Sequence, residues 1–127
     1  MELALVFPLL ASLLIGVADF GQYLFLQQAL VERARFAARW GAVTDPSNTG
    51  AIINVVLYSQ PAPAPGAVPA FGLTPAMVQV AVPDSGTDQH RLVVTISGYS
   101  FKLWSPTVAG RYAGPAIRVS IPLGPYT

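Results

Sequence analysis

From Leu3 to Ala18 the chain carries no charge and is almost wholly apolar. Few folds can accommodate such a run. Sixteen helical residues reach roughly 24 Å at 1.5 Å per residue, a little short of the ~30 Å hydrocarbon core of a bilayer. Beyond Asp19 the apolar character resumes through Phe20, Tyr23, Leu24, Phe25 and Leu26. Residues 1–26 can therefore form a membrane anchor or filament core if Asp19 is tolerated. Residues 27–127 are left for the C-terminal half of the same helix and a globular head. The helix is expected over about residues 1–42.

The remaining composition supports that division. Of 127 residues, 53% are hydrophobic and only 10% charged, against about 25% charged in an ordinary soluble domain. The length suits one small domain. So little charge suits a membrane, or a surface covered by copies of the same chain. A net charge of +1 with no basic tract argues against a nucleic-acid partner. The chain contains no Cys, which removes disulfides and thiolate zinc sites. A cleaved signal peptide fits poorly: its apolar region should be about 7–15 residues long and follow positive charge. Here the run is longer and no Lys or Arg precedes it. The nearby arginines, Arg33, Arg35 and Arg39, all follow the span, whereas basic residues flank the cytoplasmic end. Either the head is cytoplasmic or a basic leader is expected before Met1.

A helix apolar on nearly every face must be buried all round. Lipid can do that, and so can neighbouring copies. A carboxylate inside it costs roughly 2.5–3.5 kcal/mol at the centre of a membrane helix. Asp19 is therefore expected to pair with an arginine of an adjacent copy, Arg33 or Arg35, or else to sit at the membrane surface. Pro8 removes a backbone donor and predicts a kink. Gly16 and Gly21 permit close helix approach, although their spacing of five is not that of a GxxxG pair. Further along, Phe25, Ala29, Phe36, Trp40 and Val43 share a narrow arc at 100° per residue and are expected to hold the head. Glu32 can pair with Arg35 at i+3.

The long helix should end near Gly41 to Val43, with Asp45-Pro46 as punctuation. "AIINVVLY" reads as a short helix capped by Ser47 or Asn48, though its β-branched content also fits a strand. "PAPAPGAVPAFGLTP" reads as an extended loop. Val78, Val80 and Val82 alternate with Met77, Gln79 and Ala81. Leu92, Val94 and Ile96 share one face, and later Ile117, Val119 and Ile121 alternate with Arg118 and Ser120. These predict three antiparallel strands or a fourth. After Gly98 the apolar phase flips to Tyr99, Phe101 and Leu103, which predicts a β-bulge or bend there. The sheet cannot bury its own face and needs the long helix. The fold class is α+β, a stalk with a small antiparallel head. No nucleophile–base pair, phosphate loop or metal cluster stands out. His90, Asp84 and Asp88 read as a surface turn. No cofactor and no catalysis are expected.

Two stretches resemble a known family. "ELALVFPLLASLLIGVADFGQYLFLQQAL" followed by "RARFAARWGAV" is similar to the TadE-like proteins of tight-adherence pili. Glu2, Pro8, Gly16, Asp19, Gly21, Gln27, Ala29, Leu30, Arg35, Ala38 and Arg39 fall on matching positions. Ala37 replaces the usual Gly of the closing motif. "LVVTISGYSFKLWSP" resembles the family's Y-x-F-x-x-(L/W)-x-P strand end. The resemblance implies a pilin-like stalk and a basic leader removed by a prepilin peptidase. In that pattern a Glu stands at the fifth mature position, whereas Glu2 stands second here. It also implies contact between Glu2 and the α-amino group of a neighbouring subunit. The expected partners are copies of the chain or other pilus subunits, with the inner membrane as host before assembly into a surface filament for adhesion. A minor, membrane-anchored assembly role of the TadE type is the other implied reading.

Overall fold

One helix dominates the molecule. In the computed structural model α1 runs from Glu2 to Thr44 without interruption. Residues 2–105 and 110–124 are described; Met1, 106–109 (including Pro106 of the strand-end motif) and 125–127 lie outside them. α1 continues through Pro8, where the Ser12 hydroxyl donates to the Pro8 carbonyl at 2.7 Å. It ends where Asp45 takes over: the Asp45 carboxylate accepts from the amide and hydroxyl of Ser47 at 2.9 and 2.6 Å. These bonds, the hydroxyl first, hold the Asp45 carboxyl below its ordinary 3.8. Pro46 follows immediately, and no residue there continues the helical ladder.

The short helix expected near residue 51 is α2 (Thr49–Tyr58). Asn48 caps it by accepting from the Ala51 amide at 3.1 Å, satisfying one of the first-turn donors. At its other end Ser59 adopts a left-handed conformation and its amide returns to the Val55 carbonyl at 2.9 Å. The proline-rich stretch then crosses the surface and closes with two short 3-10 turns, Ala70–Gly72 and Pro75–Met77.

Five strands follow: β1 (Val78–Ala81), β2 (Arg91–Ile96), β3 (Ser100–Lys102), β4 (Arg111–Ala113) and β5 (Ile117–Pro122). They form two antiparallel sheets, β1-β2-β5 and a ribbon of β3 and β4. In the larger sheet Val78 and Val80 lie opposite Ile96 and Val94, and Ile117, Val119 and Ile121 lie opposite Ile96, Val94 and Leu92. The period-2 positions thus share one face, and that face packs on α1 and α2. At Gly98, with φ +74, the chain leaves the first sheet and enters the second. The predicted bulge is a bend between sheets. A bulge needs a partner strand on both sides of the extra residue, and here the partner changes from β5 to β4.

The core is built from Leu30, Ala34, Ala37 and Ala38 of α1, Ile52, Val55, Val56 and Leu57 of α2, and the inner face of the sheet. On α1 these positions and Gly41 follow an i, i+4, i+7, i+8, i+11 pattern, one stripe of a helix. The stripe expected to hold the head lies roughly 140° away at 100° per residue. Phe25, Phe36 and Val43 are 68%, 54% and 88% exposed; Ala29 is half-buried, and Trp40 flanks the core. The reason is distance. α2 and β2 approach so closely that a methyl on Gly41 would stand 2.7 Å from Ile52 Cδ1 and 3.0 Å from Leu92 Cδ2. Small side chains permit that approach and the large aromatics do not.

Candidate functional site at the stalk–head junction

The first seventeen helical residues, Glu2 to Ala18, contain no fully buried side chain. Leu3, Phe7, Leu9, Leu13, Leu14 and Val17 are all exposed. Asp19 reverses the pattern: it is only 6% exposed. Its Oδ1 accepts from the Trp104 amide at 2.7 Å and its Oδ2 from the Ser105 amide at 2.9 Å. Two successive backbone N–H groups thus fill both oxygens of one carboxylate. Hydrogen bonds to a charged acceptor are shorter and stronger than neutral ones, which offsets the cost of removing the group from water. The loop carrying these amides is held against the stalk from above by aromatic rings. Tyr23 and Phe101 lie 4.9 Å apart between centroids, tilted by 52°, and Phe101 and Tyr112 lie 6.0 Å apart. The β3–β4 ribbon therefore docks on α1 one turn beyond Asp19.

Within the chain the partners of Asp19 are these two amides and not an arginine. Arg33 is engaged elsewhere: its Nη1 donates to the Val56 carbonyl at 3.1 Å and to Ser59 Oγ at 3.0 Å. The guanidinium also lies 5.6 Å from the Phe71 ring centroid. A cation at the C-terminus of α2 complements its exposed carbonyls. Arg35 makes the expected i,i+3 ion pair with Glu32 at 2.9 Å, an exposed contact of small energetic weight. Glu2 is exposed at the helix start. Gly16 and Gly21 have open space around a would-be Cβ, so neither serves a close approach within the chain. Gly16 lines a groove with Phe20, Tyr23, Phe101 and Leu103.

The head also extends further down the stalk than the division at residue 26 supposed. The ribbon and its loop reach Asp19, which leaves residues 2–18 as the uncovered length, about 26 Å by helical rise. Elsewhere, His90 Nδ1 lies 2.9 Å from the Thr87 carbonyl within the turn after β1. Among the described residues no group of three metal-ligating side chains converges.

Reading the sequence by periodicity missed Trp104 and Ser105 as the seat of Asp19. They stand 85 and 86 positions away, beyond any local pattern. One signal was present: both the Asp19 motif and the Trp104 strand end were stretches resembling the same family.

The comparisons with known proteins agree with the stalk. The family model described as TadE-like protein matches residues 1–39, the whole of the uncovered segment and most of the rest of α1. The match covers the N-terminal third of the chain and is a likeness of the stalk to that family. No curated protein and no solved structure matched the chain.

Proposed function

We propose that this chain is a structural pilin-like subunit. It inserts in the inner membrane through residues 2–18 and then packs its long helix against copies of itself, or against other pilus subunits, in an extracellular filament for adhesion. It carries out no catalysis. The observation that carries this reading is the position of the exposed apolar stripe. Phe25, Phe36 and Val43 continue the apolar surface far beyond Asp19; Phe36 is 17 residues past it, about 26 Å along the axis. A bilayer covering residues 2–18 cannot also cover Phe36 and Val43. Neighbouring helices can, and exposed apolar stripes of this kind mark association surfaces.

The second reading is a minor, membrane-anchored protein that initiates or assists a pilus made of another subunit. The TadE-like match favours it. Electron microscopy of the purified full chain after detergent removal discriminates the two. Helical filaments are expected on the first reading. A chain that stays monomeric and detergent-dependent supports the second. Phe36→Asp should abolish filaments while leaving membrane insertion intact; normal filaments from that variant would remove the stripe from the mechanism.

A further inference from the structure

The loop that seats Asp19 sits at the boundary between the covered and uncovered parts of the stalk, and its side chains suit a membrane surface. Trp104 is 69% exposed although its own amide is pinned to Asp19. On α1, Val17 and Phe20 flank Asp19 in sequence and are both exposed and apolar, and Phe20 shares a groove with Asp19, Leu103 and Ser105. Immediately before Leu103 is Lys102, paired in register with Arg111 across the ribbon. Both are exposed, and directly opposed residues of an antiparallel pair project from the same face. Tryptophan concentrates where bilayer meets water, because its ring has an apolar body and a polar N–H. Paired cations complement anionic lipid headgroups.

We propose that residues 102–105 together with Arg111 form an interfacial foot. Trp104 lies in the headgroup region of the bilayer, Lys102 and Arg111 contact anionic phospholipid headgroups, and the Asp19 seat fixes how deep the stalk sinks. The occupant is a lipid bilayer surface. The uncovered stalk that must enter the bilayer begins directly beneath the loop, and the charge of the ribbon complements the headgroups. The inference rests on the membrane-anchored state of the proposed function and does not require the filament.

The chain has two tryptophans, and Trp40 lies 21 residues beyond Asp19, about 32 Å up the helix. The full chain carrying Trp40→Phe is reconstituted in phosphatidylcholine–phosphatidylglycerol vesicles whose acyl chains are brominated either near the headgroup or near the chain end. Trp104 fluorescence should be quenched more by the shallow bromines than by the deep ones. The Trp104→Phe chain, which reports Trp40, should show little lipid quenching. The same comparison between the unmodified chain and Trp104→Phe gives the answer should Trp40→Phe fold poorly. Adding Lys102→Gln and Arg111→Gln should remove the difference in quenching between vesicles with and without phosphatidylglycerol. Trp104 quenched by aqueous iodide and by no brominated lipid, or quenched most at the chain ends, overturns the foot. Undiminished dependence on phosphatidylglycerol in the double variant overturns the headgroup contact. The Phe36→Asp chain should give the same quenching as its parent, so failure to form filaments and failure of the foot are read separately.

Discussion

Asp19 shows how one residue can appear misplaced in a sequence and well placed in a fold. A carboxylate among hydrophobes asks for a counter-ion, and the sequence offers arginines on the same helix. The fold supplies two amides instead. Replacing Asp19 with Ala removes the carboxylate that accepts from the Trp104 and Ser105 N–H groups, so stability should fall by about 2–4 kcal/mol. Asn should recover only part of this, since its carbonyl accepts from one amide while its NH2 faces the other. Denaturant unfolding in detergent, followed by Trp fluorescence, checks both. Tyr99 is a second informative residue. Its ring is buried against Gly114, where a Cβ would overlap it, and its hydroxyl has no hydrogen-bond partner among the described residues. Tyr99→Phe should therefore leave stability unchanged or raise it by about 1 kcal/mol. Burial, with a smaller contribution from Tyr23, also holds the Tyr99 hydroxyl above its ordinary 10.0. The unfolded chain ionises there first, so stability from this residue is present below pH 10 and lost as pH rises beyond it. The Phe variant should lose less stability in alkaline titration.

Among the elements, α1 was legible in length and character but not in phase. Its apolar run and its stop at Asp45-Pro46 follow from composition and helix chemistry alone. Which stripe meets the head does not, because hydrophobicity favours Phe25, Phe36 and Val43 whereas close packing requires Ala34, Ala37, Ala38 and Gly41. Two substitutions separate those forces. At Gly41 alanine gains about 1 kcal/mol of helix propensity, but a methyl forced against Ile52 and Leu92 costs about 1–3 kcal/mol, so net stability should fall. At Gly21, where nothing lies within 4 Å, the same change should raise it by about 0.5–1 kcal/mol. Thermal unfolding of the pair should show opposite signs. α2 was legible through its Asn48 cap, which overrode the β-branched content of Ile52, Ile53, Val55 and Val56. The three strands of the larger sheet were legible through their period-2 apolar positions, although the buried Val93 interrupts the alternation of β2. The ribbon was only half legible: the phase flip at Gly98 announced a change of direction but not a change of sheet.

For the whole molecule the uncovered stalk decides behaviour in solution. Burying an exposed Leu or Phe gains about 1.5–3 kcal/mol each, and residues 2–18 expose many of them. On transfer to detergent-free buffer the full chain should therefore associate, as size-exclusion chromatography with light scattering would read. A stable monomer there would contradict both the anchor and the filament. What the sequence by itself determined was the α+β class, the stalk, the positions of the main strands and the family likeness of the N-terminal third. Each of these is written in local composition, spacing or caps. What only the tertiary structure decided was which face of α1 is covered, how far the head descends along it, and what satisfies Asp19. Those depend on groups that meet across 85 residues of chain, and their selection rests on close approach and hydrogen-bond satisfaction, which no local pattern encodes.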